Sequence, residues 1–231
     1  MVSAVRLTGS VAELHARDPF VGGPLVAPEV WWCDFTDSAI VLGSSQPDEL
    51  LDADAVTAAG LHVVRRRSGG GAVLLRPGAV VWIDLIVPAA AWPTDVRRSM
   101  VAAGEVWQAA LTEVAAVAPG TVVVHDGGML PTDWSRAVCF AGIGPGEVLA
   151  ADATPTRKLV GLSQRRTRGG ARIQGLVHRS DLVAATAALI AGAHRPGGVP
   201  PGAASADVDA AMLADAIASA AQRHHPGITP V

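Results

Sequence analysis

At 231 residues, half of them apolar, the chain is near the upper size of one globular domain and can bury a sizeable core. A net charge of -3 excludes a protein that coats nucleic acid or an anionic membrane, because either needs a broad cationic surface. Two cysteines, Cys33 and Cys139, cannot form a disulfide framework, and the longest apolar run, residues 79–92, is broken by Asp84 and Pro88 and is too short to span a bilayer. The N-terminal residues lack the apolar stretch of a signal peptide, so the expected compartment is the cytoplasm.

In chain order, residues 38–46 read as a strand running into a turn, and 47–60 as a short helix closed by Gly60. Residues 61–88 give three β-rich runs, punctuated by Gly69, Gly70 and Gly71 and by Pro77-Gly78; the expectation is a strand, a glycine loop and a hairpin. Residues 94–117 place Val96, Met100, Val106 or Trp107, and Leu111 near helical spacing behind a Thr94 or Asp95 cap. Short strands follow at 121–127, 137–143 and 157–164, the last joined through 166–170 to 171–179 as a hairpin. Ser180 or Asp181 caps a helix through Ala193. A Pro/Gly-rich loop at 195–204 precedes an Ala-rich helix within 205–223, from about Asp207 to Gln222. Several connections are too short for crossover helices, so the reading is one α+β domain over 1–231, with a largely antiparallel mixed sheet flanked by helices.

Three features carry chemistry. The triglycine removes every Cβ from its loop, so a ligand can lie against backbone N–H groups; no phosphate-loop or dinucleotide-binding pattern is present. Arg65, Arg66 and Arg67 precede it, and strand alternation sends Arg66 to the face opposite its neighbours, on an edge strand that could equally be only a solvated cationic surface. Lys158 is the single lysine in a chain with seventeen arginines; it reads either as a chance survivor of a drift from lysine to arginine codons or as a position needing a compact point charge rather than a planar guanidinium.

The stretch VVRRRSGGGAV, followed some ninety residues later by RKLVGLSQRR, resembles the lipoate-protein ligase A and octanoyltransferase family, whose pattern is RRxSGGGAV and then K-x-x-G-x-[SA]-Q. IVLGSSQPDEL is similar to the family's earlier strand and turn, and the likeness covers roughly 39–178. It implies a biotin/lipoate protein ligase-like fold and attachment of lipoyl or octanoyl groups to a lysine of a small carrier domain. By resemblance, Lys158 reaches the acyl carbonyl oxygen; Arg66, Ser68, Gly69, Gly70, Gly71 and Ala72 lie along the acyl chain; and Gly161, Ser163 and Gln164 shape the opposite wall. The charge argument agrees, since acyl transfer builds negative charge on that oxygen.

AVCFAGIGPGEVLA is similar to one octanoyltransferase branch, in which a cysteine takes the acyl group from a carrier thioester. That makes Cys139 a candidate nucleophile beside Lys158, against the alternative of an inert buried thiol; Cys33 has no such context and reads as core. Three routes stay open. A thioester transferase needs no cofactor and takes its acyl group from acyl carrier protein. A ligase uses ATP and Mg²⁺ to make an acyl-adenylate, here completed by a partner because little chain follows the catalytic region. A non-catalytic paralogue only binds acyl groups. The acceptor implied is a lipoyl carrier domain or a glycine-cleavage H-type protein; nucleic acid and membrane are not expected partners. Three departures from the family bear on substrate choice: Leu75 and Arg76 replace a usual His-Asp, and Gln174 replaces a usual histidine. Trp31 and Trp32 stand where an arginine-containing strand is usual. The histidines are scattered, with no metal-ligand spacing, and His125 with Asp126 and Asp133 reads as a surface turn.

Overall fold

A computed structural model describes residues 2, 4–23, 25, 27–151 and 154–224; His225 lies outside them. Strands β1 (Ala4–Gly9), β2 (Glu29–Phe35), β6 (Val80–Pro88), β7 (Val122–Val124), β8 (Val148–Ala150), β9 (Arg157–Thr167) and β10 (Gly170–His178) form a seven-stranded sheet in the order β1-β2-β6-β10-β9-β8-β7. Its pairings are antiparallel except β1 with β2. A second, three-stranded sheet, β4-β3-β5, contains β3 (Ala39–Leu42), β4 (His62–Arg65) and β5 (Val73–Leu75).

Each face of the large sheet buries its own core. On one face pack α3 (Val96–Glu113) and α5 (Ala210–His224), whose Trp107, Leu111, Leu213 and Ile217 meet Ile83, Leu85 and Ile173. Trp107 lies so close to β10 that a Cβ at Gly175 would stand 2.4 Å from the indole. The small sheet covers the other face with α1 (Val11–Ala16), α2 (Ala53–Ala58) and α4 (Val183–Ala188), and Ile40, Leu42, Leu74 and Leu75 meet Trp82 there. The fold is therefore α+β, with a mixed, largely antiparallel sheet. No helix among the described residues is long and apolar enough to cross a membrane.

Helix caps follow the local chemistry: Ser10 and Glu13 form a capping box on α1, while Asp52 and Asp95 accept the Ala55 and Arg98 amides at the starts of α2 and α3. Four expectations need correction. The anticipated β5–β6 hairpin does not form. Pro77-Gly78 (Gly78 φ +78°) turns the chain from one sheet into the other, where β6 already pairs on both edges with β2 and β10. Residues 137–143 are not a strand, because Cys139–Ala141 curl into a 3₁₀ turn that swings Phe140 over Gly161. The helix after Asp181 runs only from Val183 to Ala188, and its N-cap is Leu182 rather than Ser180 or Asp181, although Asp181 Oδ1 accepts the Val183 amide. Val96 points to solvent and Met100 is only half-buried, whereas the expected Val106, Trp107 and Leu111 join Ser99, Ala103 and Ala110 in the buried stripe of α3. Strands β1, β2 and β8 and helix α1 are elements beyond the sequence reading.

Candidate active site

The glycine loop starts where β4 ends. Arg66, just past the strand, is 4% exposed and folds back over the loop: its Nη2 donates to the carbonyls of Gly69 at 2.8 Å and Gly71 at 2.9 Å. Arg65 and Arg67 point outward, to Asp48 and Asp18. Gly70 takes a left-handed φ of +104°, and Gly71 passes so near the Cys139 turn that a Cβ would stand 2.6 Å from the Val138 carbonyl carbon and the Cys139 nitrogen. Backbone bonds in both directions, Ala72 N–H to Ala137 and Cys139 N–H to Ala72, lock loop and turn together. Gln46 reinforces the joint by donating to the carbonyls of Arg136 and Ala137.

Lys158, on β9, is 3% exposed. Its ammonium sits 2.7 Å from Glu147 Oε2, donates to the Cys139 carbonyl at 2.8 Å and lies 5.3 Å from the Phe140 ring. Glu147 also accepts from the amides of Gly144 and Leu162. Burial pushes its carboxyl above the usual carboxylate range, and Lys158 with the accepted hydrogen bonds pulls it only part of the way back. A buried charge persists here because it is paired and bonded on several sides.

Two cavities meet at this point. A narrow one is walled by Val73, Leu75, Trp82, Phe140, Gly161 and Leu176, with Arg66, Ser163, Gln174 and His15 as its polar members. An open cleft of about 950 Å³ is lined by the three glycines, Lys158, Glu147, Arg97, Met100 and Met129. Cys139, Leu162 and Ser163 line both, so the thiol stands at their junction. Ser68 spans from the loop to the sheet, bonding Ser163 at 2.9 Å and Gln174 at 2.8 Å.

Of the residues singled out in the sequence, the fold gathers Lys158, Cys139, Arg66, Ser68, Gly69, Gly70, Gly71, Gly161 and Ser163 around these cavities. Ala72 is fully buried behind the loop. Gln164 faces away: strand alternation turns it to the other side of β9, where it accepts from Ser99 Oγ and donates to the Val96 carbonyl at the start of α3. Leu75 and Gln174 line the narrow cavity, whereas Arg76 is exposed beyond β5. Cys33 is sealed in the core, its thiol pushed up by burial and then by Asp84. His125 is a half-buried residue just past β7, bonded to the Gly128 carbonyl, and among the described residues no group of His, Cys, Asp or Glu is arranged to hold a metal ion. The sequence reading missed Glu147 and His15, and gave Phe140 no role beyond following Cys139 in the AVCF stretch. Glu147 carried one signal, as the single charged residue in 137–151, just upstream of the single lysine.

The family model for the lipoyl protein ligase A/B catalytic domain matches residues 27–197. The chain belongs to that family. It is thus a catalytic domain of the lipoyl ligase and transferase type. Its fold is similar to that of protein Ta0514 from Thermoplasma acidophilum with bound lipoic acid, at 14% identity and a TM-score of 0.69, covering 96% of this chain and 84% of that one. It is also similar to a bipartite lipoate protein ligase studied with its E2 lipoyl domain from the same organism, at 14% identity and TM-score 0.64 over 96% and 81% of the two chains. A third likeness is lipoate-protein ligase A bound with ATP, at 14% identity and TM-score 0.67 over 96% and 84%. No curated protein matches by sequence.

Proposed function

We propose that this chain moves an octanoyl or lipoyl group from a carrier thioester to a lysine of a lipoyl carrier domain, through a thioester on Cys139. The observation that supports this reading is the place of Cys139 at the junction of a narrow, mostly apolar cavity and an open cleft bearing Lys158 and the triglycine backbone. The thiol gives up its proton and its sulfur attacks the donor carbonyl; the donor thiol leaves with a proton. The carrier's lysine, as free amine, then attacks the Cys139 thioester, an amide forms, and the cysteine sulfur takes a proton back. In both steps the carbonyl oxygen gains negative charge, which Lys158 and the loop amides stabilise. Lys158 meets Cys139 through the backbone carbonyl. The ammonium therefore also holds the turn that carries the thiol.

The acceptor read here is a lipoyl domain or glycine-cleavage H-type protein, with acyl carrier protein as donor, in the cytoplasm, and with residues 1–231 acting as one catalytic unit. The relative studied with its E2 lipoyl domain supports an acceptor of that kind.

An ATP-dependent ligase is the second reading, favoured by the similar fold of the ligase bound with ATP. The triglycine amides, Lys158 and Arg97 suit phosphate oxygens. The Mg²⁺ that adenylation needs fits less well. The carboxylates in the cleft are Glu147, already engaged by Lys158 and two amides, and Asp95, which caps α3.

Intact-mass spectrometry with an octanoyl thioester and an apo carrier domain decides between the routes. The expected result is an octanoyl adduct on the wild-type chain, none on Cys139→Ser, and carrier acylation without ATP. Carrier modified only from free acid with ATP would reject the thioester route.

A further inference from the structure

On the sheet face under the glycine loop, paired positions of β9, β10 and β6 form three successive rows: Gly161, Leu176 and Trp82; then Ser163, Gln174 and Asp84; then Arg165, Arg172 and Ile86. Successive rows lie about 7 Å apart along the strands. Phe140 packs over Gly161 in the first row, so the Cys139 end of the narrow cavity is apolar. Moving away from Cys139, the wall becomes polar and then cationic.

The second row carries an oriented hydrogen-bond chain. Gln174 Oε1 accepts from Ser68 Oγ, so the Ser68 oxygen accepts from Ser163, and Gln174 Nε2 is left to donate to His15 Nδ1 at 3.2 Å. The ring, tilted 30° against Trp82 with centroids 4.3 Å apart, is kept neutral by burial and then by Arg172 and Arg66, its pKa pushed down to about 3. With Nδ1 accepting, a neutral imidazole carries its proton on Nε2, an assignment made from the network. His15 Nε2 is buried without a partner, and so is Arg66 Nη1. Both residues line the narrow cavity, and both atoms are donors. A hydrocarbon tail leaves them unmet, whereas an oxygen acceptor satisfies them.

His15 and Gln174 are also a partition. Behind them lies a second, small cavity that shares these two residues and is lined by Arg17, Arg67, Arg165, Arg172 and Asp18. Two of these charges are spoken for, Arg172 by Asp84 at 2.6 Å and Arg67 by Asp18 at 2.8 Å. Among the described residues the side chains of Arg17 and Arg165 make no hydrogen bond or ion pair. In a protein of net charge -3 this is a local positive excess at the far end of the acyl cavity.

We infer that the cavity selects an acyl group whose far end carries a carboxylate, an ω-carboxyacyl chain, over a plain hydrocarbon or dithiolane end. The inference rests on reading this cavity as the acyl site; it replaces octanoyl or lipoyl as the preferred cargo and does not depend on which transfer route operates. The carboxylate accepts from His15 Nε2 and Arg66 Nη1, and Arg17 and Arg165 supply the attracting field.

The test is calorimetric titration of the full chain with three unreactive probes, each blocked at the reactive end as an N-methylamide: octanoic, suberic (one end blocked) and lipoic. The suberic probe should bind about tenfold or more tightly than the octanoic, as expected for hydrogen bonds to a charged group, and the ratio should shrink as salt is raised. In Arg17→Gln/Arg165→Gln, which alters two side chains without bonds, the ratio should fall severalfold while octanoic binding holds. Parity of the three probes, tighter lipoic binding, or an unchanged ratio in the double variant would overturn the assignment. Parity would leave an acyl adduct on Cys139 unaffected, and failure of the thioester route would leave the probe ratio unaffected, so the two ideas fail separately.

Discussion

Glu147 and Lys158 face each other across 2.7 Å with both side chains nearly sealed from solvent, and the same ammonium holds the carbonyl of Cys139. This one pair ties the loop before β8 to β9 and to the turn carrying the thiol. Glu147→Gln removes the counter-charge and leaves a buried cation, which should cost about 3–5 kcal/mol. Lys158→Arg keeps the charge, so it should cost less stability, yet it presents a wider, planar head to a site fitted to an ammonium. We expect acyl transfer to fall by about a hundredfold or more in Lys158→Arg, the scale of losing a donor to the developing oxyanion. Urea denaturation and a carrier-acylation assay measure the two quantities; near-normal turnover in Lys158→Arg would reject the role of Lys158.

The two cysteines should behave oppositely. Cys139 is half-buried between two cavities, while Cys33 is sealed, its thiol driven upward by burial and then by Asp84. Thiolate and access both govern alkylation, so iodoacetamide should label Cys139 in the native chain and reach Cys33 only in denaturant. Peptide mapping reads this directly. Rapid native labelling of Cys33 would mean that the core around Asp84 is open.

Glycines in the loop are not equivalent. A Cβ on Gly71 would press within 2.6 Å of the Val138–Cys139 backbone, while a Cβ on Gly69 meets nothing within 4 Å. Gly71→Ala should cost about 1–3 kcal/mol, as overpacking does, and should impair transfer by displacing the cysteine turn. Gly69→Ala should unfold like wild type. Chemical denaturation of the two variants side by side gives the comparison, and equal stability would mean that loop and turn are not tightly joined.

The sequence made local patterns legible and left long-range partnerships hidden. The β9–β10 hairpin, α3, the triglycine and the solitary lysine each announce themselves in a few adjacent residues. Gln164 was misplaced because a motif places residues in a line, whereas a strand sends neighbours to opposite faces. The β5–β6 hairpin was wrongly read because two apolar runs around Pro-Gly look alike whether they pair or part into separate sheets. The partners Glu147 for Lys158 and His15 for Gln174 sit 11 and 159 residues away, and no local pattern links them. Strand β8 is too short and too Ala-rich at its end to show a clear period of two.

Two buried histidines make the fold acid-sensitive in a window that can be stated. Burial first of all pulls His178 down to about 4 and His15 to about 3, below the ordinary 6.5. As pH falls through 6.5 the unfolded chain takes up protons that the folded chain refuses until near pH 4 or below, so stability is complete above neutrality and drains as pH falls across that interval. Each histidine should contribute a slope of about 1.4 kcal/mol per pH unit within its window. Glu147 and Asp84, both raised mainly by burial, act with the opposite sign, since their folded forms hold protons more readily than the unfolded chain. Comparing variants cancels those carboxyl terms. His178, stacked on Phe140 at 4.1 Å with neither ring nitrogen bonded, gives the cleaner substitution. His178→Leu should flatten the rise of stability between pH 5 and pH 6 by about 1.4 kcal/mol per unit relative to wild type. Urea midpoints at fixed salt across that range measure it, and parallel curves would show that His178 takes up its proton equally readily in the folded and unfolded chains.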